Sequence, residues 1–269
     1  MRLTTETDII IFGGQSNMQG QTETLTECAR KEGCYEYRIL TDNIIPLKNP
    51  VGEYVKADGT AGAAFVGDPV AEEDKFIIWK DSLAFGASTD GNTNLVPSFC
   101  QSYRKARGKD VLAVHVSKGA TYISQWLKGT PGYDMIVKKT LCAIEKCDKI
   151  GKIYFVWLQG ESDACASVKQ TEYENMITEL KNSLKSDLGI EKFGIIRVGH
   201  FAGDQRDDEI INAQEAVCKN DDDFVMLTRI TSELEHVKTF MNPYARGHYS
   251  ARGLEVIGEL AGASLAEIM

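Results

Sequence analysis

The sequence predicts a three-layer α/β/α sandwich built on a five-stranded parallel sheet. Three observations predict it: short apolar runs rich in β-branched and aromatic residues, helical periodicity in the segments between them, and the alternation of the two along the chain. With 269 residues, 43% of them hydrophobic and 26% charged, such a chain can bury a substantial core without help from disulfides.

The five predicted strands are IIIF after Asp8, VLAVHV after Asp110, IYFVWL after Lys152, FGIIRVG after Lys192 and FVML after Asp223. Their nearly continuous apolar character suits strands covered on both faces, as in a parallel sheet. Helical spacing marks residues 133–148, 166–186 and 207–219, and a last helix after Ser250, where Leu254, Ile257, Ala261, Leu265 and Ile268 share one face. From about Thr22 to Leu95 the rhythm breaks into scattered Gly, Pro, Asn and Asp, which predicts an irregular insertion at 22–95 within a single domain spanning residues 1–269. No repeat or Pro/Ser-rich linker divides the chain.

Composition narrows the partners. A formal charge of -9 supplies no concentrated positive surface, so neither nucleic acid nor an anionic membrane is an expected partner. The opening MRLTTETDIIIF holds an apolar run too short for a signal-peptide core or a membrane span, and the expected location is the cytoplasm. Cys28, Cys34, Cys100, Cys142, Cys147, Cys165 and Cys218 form an odd set with no CxxC pair, which argues against a disulfide framework and a structural zinc. Without HExxH, Walker or GxGxxG patterns, neither metal nor organic cofactor is expected.

The run IIIFGGQSNMQG passes from a buried strand through glycines into a helix-starting stretch, placing Ser16 at the carboxyl edge of the first strand. Ligands bind at that edge in open α/β sheets, and unpaired N–H groups at a helix start can stabilise negative charge on a substrate oxygen. A serine there can equally be a plain N-cap. The GxSxG elbow of α/β-hydrolases is absent, since position 18 is methionine. GQSNM instead resembles the first block of the SGNH hydrolases, in particular the branch of sialate O-acetylesterases and acetylxylan esterases.

That resemblance implies a flavodoxin-like sheet, a serine nucleophile at Ser16, and three further blocks in fixed order. SKGATYISQW is similar to the branch's GGTSI-x-x-W element; it implies the Gly119 N–H as an oxyanion donor alongside Ser16, with Ala120 departing from the second glycine. WLQGESDA is similar to the QGESD signature and implies Gln159 as the side-chain oxyanion donor, a group whose loss typically costs about a hundredfold to a thousandfold in rate. NPYARGHYSARG matches the block that supplies the catalytic histidine, here His248, just before the N-cap Ser250. A histidine so placed can take the serine proton and later protonate the leaving alcohol.

One departure stands out. The family usually carries Asp-x-x-His, whereas the position three before His248 is Ala245. In the resembling esterases the QGESD glutamate also supports the histidine, which implies Glu161 as substitute acid; Asp163 is expected to bond loop backbone. His115 is expected in the core, His236 carries no motif, and His200 can line the pocket without a catalytic role. The implied reaction is acyl transfer on an O-acetyl ester of a small sugar or oligosaccharide, with Trp126 either stacking on the sugar or packed in the core. Two alternatives stay open: a non-catalytic carbohydrate-binding relative, motivated by Ala245, and a flavodoxin-like nucleotide binder using the GGQSNMQG loop.

Overall fold

The computed structural model describes residues 1–22, 32–53 and 93–268. The strands are β1 (Leu3–Gly14), β2 (Cys34–Arg38), β3 (Asn43–Pro46), β4 (Asp110–Ser117), β5 (Cys147–Leu158), β6 (Lys192–Ile196) and β7 (Phe224–Thr228). They form one sheet in the order β3-β2-β4-β1-β5-β6-β7, in which every neighbouring pair is parallel except the β2–β3 hairpin. The helices are α1 (Ser16–Gln19), α2 (Val96–Arg107), α3 (Pro131–Ile144), α4 (Glu161–Cys165), α5 (Gln170–Leu188), α6 (Gln205–Asn220), α7 (Thr231–Leu234) and α8 (Ala251–Glu267). Helices α2 and α8 pair in one layer, and α3, α5 and α6 form the other.

The predicted sandwich is present, with seven strands where five were expected. The five apolar runs became β1, β4, β5, β6 and β7. The two additional strands, CYEYR and NIIP, come from the stretch expected to be irregular. They are short, and CYEYR carries charge inside it, so they leave no apolar run to detect. The rest of the 22–95 insertion lies outside the described residues, apart from the segments that flank this hairpin and α2.

Chain order creates the place for a site. From β1 the sheet grows through β4 on one side and through β5 on the other, so the direction of winding reverses at β1. The crevice above the carboxyl ends of β1, β4 and β5 is the topological switch point, where ligands of such sheets bind. Beneath it the strands are sealed by rings: Phe12 meets Phe99 edge-on with centroids 5.1 Å apart, and Phe155 lies 4.8 Å from Phe193. The described cysteines are all free thiols, and no described helix is long and apolar enough to cross a membrane.

The α2–α8 pair depends on two glycines of α8. A Cβ added at Gly258 would stand 2.4 Å from the Leu95 carbonyl oxygen, and one at Gly262 would stand 2.2 Å from that of Phe99. Both obstacles are backbone, so no rotamer change relieves them. Alanine at position 262 gains about 1 kcal/mol of helix propensity but must push the two helices apart. Gly262→Ala is therefore expected to lower stability by about 1–3 kcal/mol in urea denaturation, against the sign that helix propensity alone gives.

Candidate active site

The turn that carries Ser16 begins where β1 runs out. Gly14, at φ 148°, accepts no side chain, because a Cβ there would lie 2.1 Å from the Leu158 carbonyl oxygen at the end of β5. The chain then makes the single turn of α1, stopped by Gly20 at φ 94°. Ser16 opens this turn and is 4% exposed. Its hydroxyl forms no hydrogen bond among the described residues.

Several partners fix the turn from below. The Gln15 Oε1 accepts from the Gln159 amide (3.2 Å) and from the Gly160 and Ser162 N–H groups. On the other side, His115 Nε2 meets the Met18 carbonyl at 3.1 Å. A carbonyl only accepts, so Nε2 carries the proton; burial pushes the ring's pKa down to about 3 and keeps it neutral. His115 thus lies in the core, as expected, where it supports α1.

Gly119 stands beside the serine. A Cβ built on it would be 3.4 Å from the Ser16 Cβ. Its loop is pinned by the Lys118 N–H on the Gly14 carbonyl (3.0 Å) and by the Thr121 hydroxyl on the Lys118 carbonyl (2.8 Å). Ala120 adopts the left-handed conformation at φ 55°, a placement that costs a residue with a Cβ about 1–2 kcal/mol. The Gly119 N–H is occupied: it donates to Gln19 Oε1 at 2.9 Å.

Gln159 is fully buried, and its amide nitrogen donates to the Thr121 carbonyl (2.8 Å), to Gln15 Oε1 and to Asp163. Its oxygen accepts from the Tyr173 hydroxyl at 3.0 Å. To meet a substrate oxygen it must exchange one of these bonds. Asp163 also receives the Ile123 N–H (3.1 Å), the backbone role expected of it, and burial pushes its pKa up to about 6 against these hydrogen bonds.

His248 sits in a loop closed on itself: its carbonyl accepts the Asn242 N–H at 2.8 Å and its own N–H reaches the Ala245 carbonyl at 3.2 Å. Its Nδ1 lies 3.0 Å from the Arg246 carbonyl, which makes Nδ1 the protonated nitrogen and leaves the lone pair on Nε2. Phe201 packs edge-on against the ring at 5.7 Å. Burial holds the imidazole below its ordinary pKa, against the pull of the Arg246 and Ala245 carbonyls. No hydrogen bond joins His248 to Ser16; such contacts are commonly long in unliganded sites.

Glu161 does not bond the imidazole. Its Oε1 accepts from Asn17 Nδ2 at 2.8 Å, and its Oε2 is buried without a partner. Asn17 also reaches the Gly247 carbonyl (3.4 Å) and accepts the Tyr249 N–H on Oδ1 (3.2 Å). These backbone groups flank His248, so Glu161 is linked to the histidine loop through Asn17. Burial raises the Glu161 pKa, and the Asn17 bond opposes the rise.

Three features were not read from sequence: the Arg246 carbonyl as orienting group, Asn17 as connector, and Gln19 on the Gly119 N–H. Asn17 lies inside GQSNM and so carried a signal; a main-chain carbonyl carries none. His200 faces Glu235 (Nδ1 to Oε1, 2.6 Å), and His236 is exposed, 3.7 Å from the same carboxylate. No three His, Cys, Asp or Glu side chains among the described residues gather closely enough to hold a metal ion.

The family model for carbohydrate esterases described as sialic acid-specific acetylesterase matches residues 71–259. A probable carbohydrate esterase of Arabidopsis thaliana is 33% identical over 102 residues, an alignment spanning 38% of this chain and 38% of that relative's length. The crystal structure of the same Arabidopsis protein superposes with a TM-score of 0.63 at 19% identity, covering 97% of this chain and 99% of that one. NanS gives a TM-score of 0.58 at 14% identity, with 98% of each chain covered. A catalytic mutant of Axe2, an acetylxylan esterase from Geobacillus stearothermophilus, gives 0.51 at 10% identity, covering 100% and 98%. At these identities the structures establish the fold. The family match begins well after Ser16, so the description of the Ser16 turn rests on its own residues and geometry.

Asn17→Ala removes the side-chain partner of a buried carboxylate together with two ties to the histidine loop, and is expected to cost about 3 kcal/mol in urea denaturation. Asn17→Asp sets a second carboxylate against Glu161. Its deficit relative to wild type should be larger at pH 8 than at pH 5, where the pair can share one proton.

Proposed function

Because the chain belongs to the sialic acid-specific acetylesterase family of carbohydrate esterases, we propose that it is a serine esterase that removes O-acetyl groups from sugars through an acyl-enzyme intermediate. The observation that carries this reading is the meeting of Ser16, Gly119 and the His248 loop above the end of β1, so close that a Cβ added at Gly119 would stand 3.4 Å from the Ser16 Cβ. That Axe2 has a catalytic mutant made by replacing a serine with alanine supports a serine in this role.

In the proposed reaction Ser16 Oγ attacks the acetyl carbonyl carbon and its proton passes to His248 Nε2, the nitrogen left with the lone pair. The carbonyl oxygen takes the place of Gln19 Oε1 on the Gly119 N–H and also meets the Ser16 N–H. Gln159 is the side-chain donor, exchanging one of its internal bonds for the oxyanion as charge develops. The intermediate collapses, and the sugar hydroxyl leaves with the proton from His248. Water, deprotonated by the same imidazole, then releases acetate and restores Ser16. Glu161 supports His248 as the acid of the site, acting through Asn17 on the backbone that carries the ring. The substrate is a small acetylated sugar or oligosaccharide.

Ala245 favours one rival, a pocket that binds acetylated sugars without turnover. Assay of p-nitrophenyl acetate and an acetylated sugar separates the two. Ser16→Ala is expected to lower kcat at least about a thousandfold. Sugar binding with no Ser16-dependent hydrolysis establishes the rival.

Burial favours the neutral, basic form of His248, so protonation should silence the enzyme only below the ordinary histidine range. The acid limb of kcat/KM is expected to have its midpoint under pH 6.5; a midpoint above that value refutes the assignment. Glu161→Gln, which keeps an acceptor for Asn17 but loses the charge, should reduce kcat at least about tenfold. Ala245→Asp should leave it unchanged or raise it. Unaltered turnover in Glu161→Gln removes Glu161 from the site.

A further inference from the structure

Trp126, the aromatic residue considered for sugar stacking on sequence grounds, has no exposed surface. Its Nε1 donates to the Thr121 hydroxyl at 3.0 Å and its ring meets Trp157 edge-on at 5.7 Å, so it belongs to the core. The exposed aromatic side chains among the described residues are two tyrosines, Tyr122 at 43% and Tyr244 at 87%. Burying such a ring ordinarily contributes to stability, and the fold forgoes that contribution at both positions.

Both lie on the loops that build the site. Tyr122 is three residues beyond Gly119, its N–H fixed on Gln125 Oε1 at 2.8 Å. Tyr244 is four residues before His248, within the closed loop of that histidine, its N–H held by Asn242 Oδ1 at 2.9 Å. The Asn242 amide donates to the Gln21 carbonyl at 2.9 Å, and the Gln21 side chain stands 2.7 Å from where a Gly119 Cβ would be. One short chain of contacts thus joins the two loops across the nucleophile turn. Backbone is fixed at both positions while the rings stay open to solvent, the arrangement of a binding surface rather than of a frayed loop.

We propose that Tyr122 and Tyr244 form the platform on which the pyranose ring of the acetylated substrate lies, so that they select a sugar ester over an acyclic one. A pyranose presents an apolar face of C–H groups inside a rim of hydroxyls. A tyrosine ring covers the first, and its hydroxyl can bond the second. The proposal rests on the esterase reading and names the part of the site that recognises the alcohol, leaving the acyl chemistry to Ser16.

The test compares wild type, Tyr122→Ala, Tyr244→Ala and Tyr244→Phe by the ratio of kcat/KM on fully acetylated methyl β-xyloside to kcat/KM on ethyl acetate. The ratio should fall about five- to tenfold in each alanine variant, through KM on the sugar, and Tyr244→Phe should retain most of it. An unchanged ratio overturns the platform. A parallel titration of Ser16→Ala protein with the same xyloside, followed by ligand-observed NMR, needs no turnover. Adding Tyr244→Ala should weaken binding by the same factor, and absent or unaltered binding overturns the proposal. If Tyr244→Ala instead changes the sedimenting mass while the ratio holds, a second copy of the chain covers this face and the proposal also falls. Absence of Ser16-dependent hydrolysis of both esters defeats only the esterase reading, since the NMR arm judges the platform independently.

Discussion

The hydrogen bond from Asn17 to Glu161 is the contact through which the site holds together. It joins the turn after β1 to the start of α4 after β5, and the same amide reaches the backbone on both sides of His248. Asn17 and Glu161 lie 144 positions apart and Gly247 lies 230 positions beyond Asn17, and no continuous element connects the three segments. A buried amide is suited to the task because it can donate to a carboxylate and a carbonyl while accepting an N–H, satisfying three groups that would otherwise be buried unpaired.

A second layer of buried polar groups supports the first. Gln15, Gln159, Asp163 and Tyr173 bond one another and the ends of their loops, and Gln214 adds a donor to the Gln159 carbonyl at 2.9 Å. Inside a medium of low polarity these bonds are directional and costly to break. The price is paid in desolvation, seen in the raised pKa of Asp163 and Glu161. By contrast, Ser16 Oγ and His248 Nε2 have no hydrogen-bond partner among the described residues. Gln15, Gln159, Asp163 and Tyr173 are bonded to one another or to loop backbone, and the two atoms proposed for the chemistry are left available.

Much of the frame was legible because hydrophobic burial writes it in composition: the five short, nearly continuous apolar runs read as covered strands, and the last helix announced its buried face by spacing. The β2–β3 hairpin escaped because pairing at the edge of a sheet is a backbone property that asks little of side chains. The motif residues bring Ser16 beside Gly119, and Gly14 and Gly20, both at positive φ where a Cβ would strike backbone, turn the chain tightly on either side of it. What sequence could not reveal were contacts made by main chain or by rotamer choice. The Arg246 carbonyl orients His248 whatever side chain residue 246 bears, and whether Gln159 faced a pocket or Asp163 depended on how the loop at Thr121 closed.

The missing aspartate follows from the same distinction. In a triad the acid does two things: it fixes the imidazole tautomer and it stabilises the imidazolium that forms during reaction. A backbone carbonyl at 3.0 Å performs the first fully, because it can only accept. For the second it offers a dipole, weaker than a charge. Behind the loop stands the Glu161 carboxyl, whose Oε2 is buried with no hydrogen-bond partner among the described residues and whose pKa burial raises. In the proposed reaction, fixing and charge stabilisation, which one aspartate combines in the triad template, fall to a carbonyl of the loop and to the Glu161 carboxyl behind it, and Asn17 bonds both the carboxyl and the backbone beside His248.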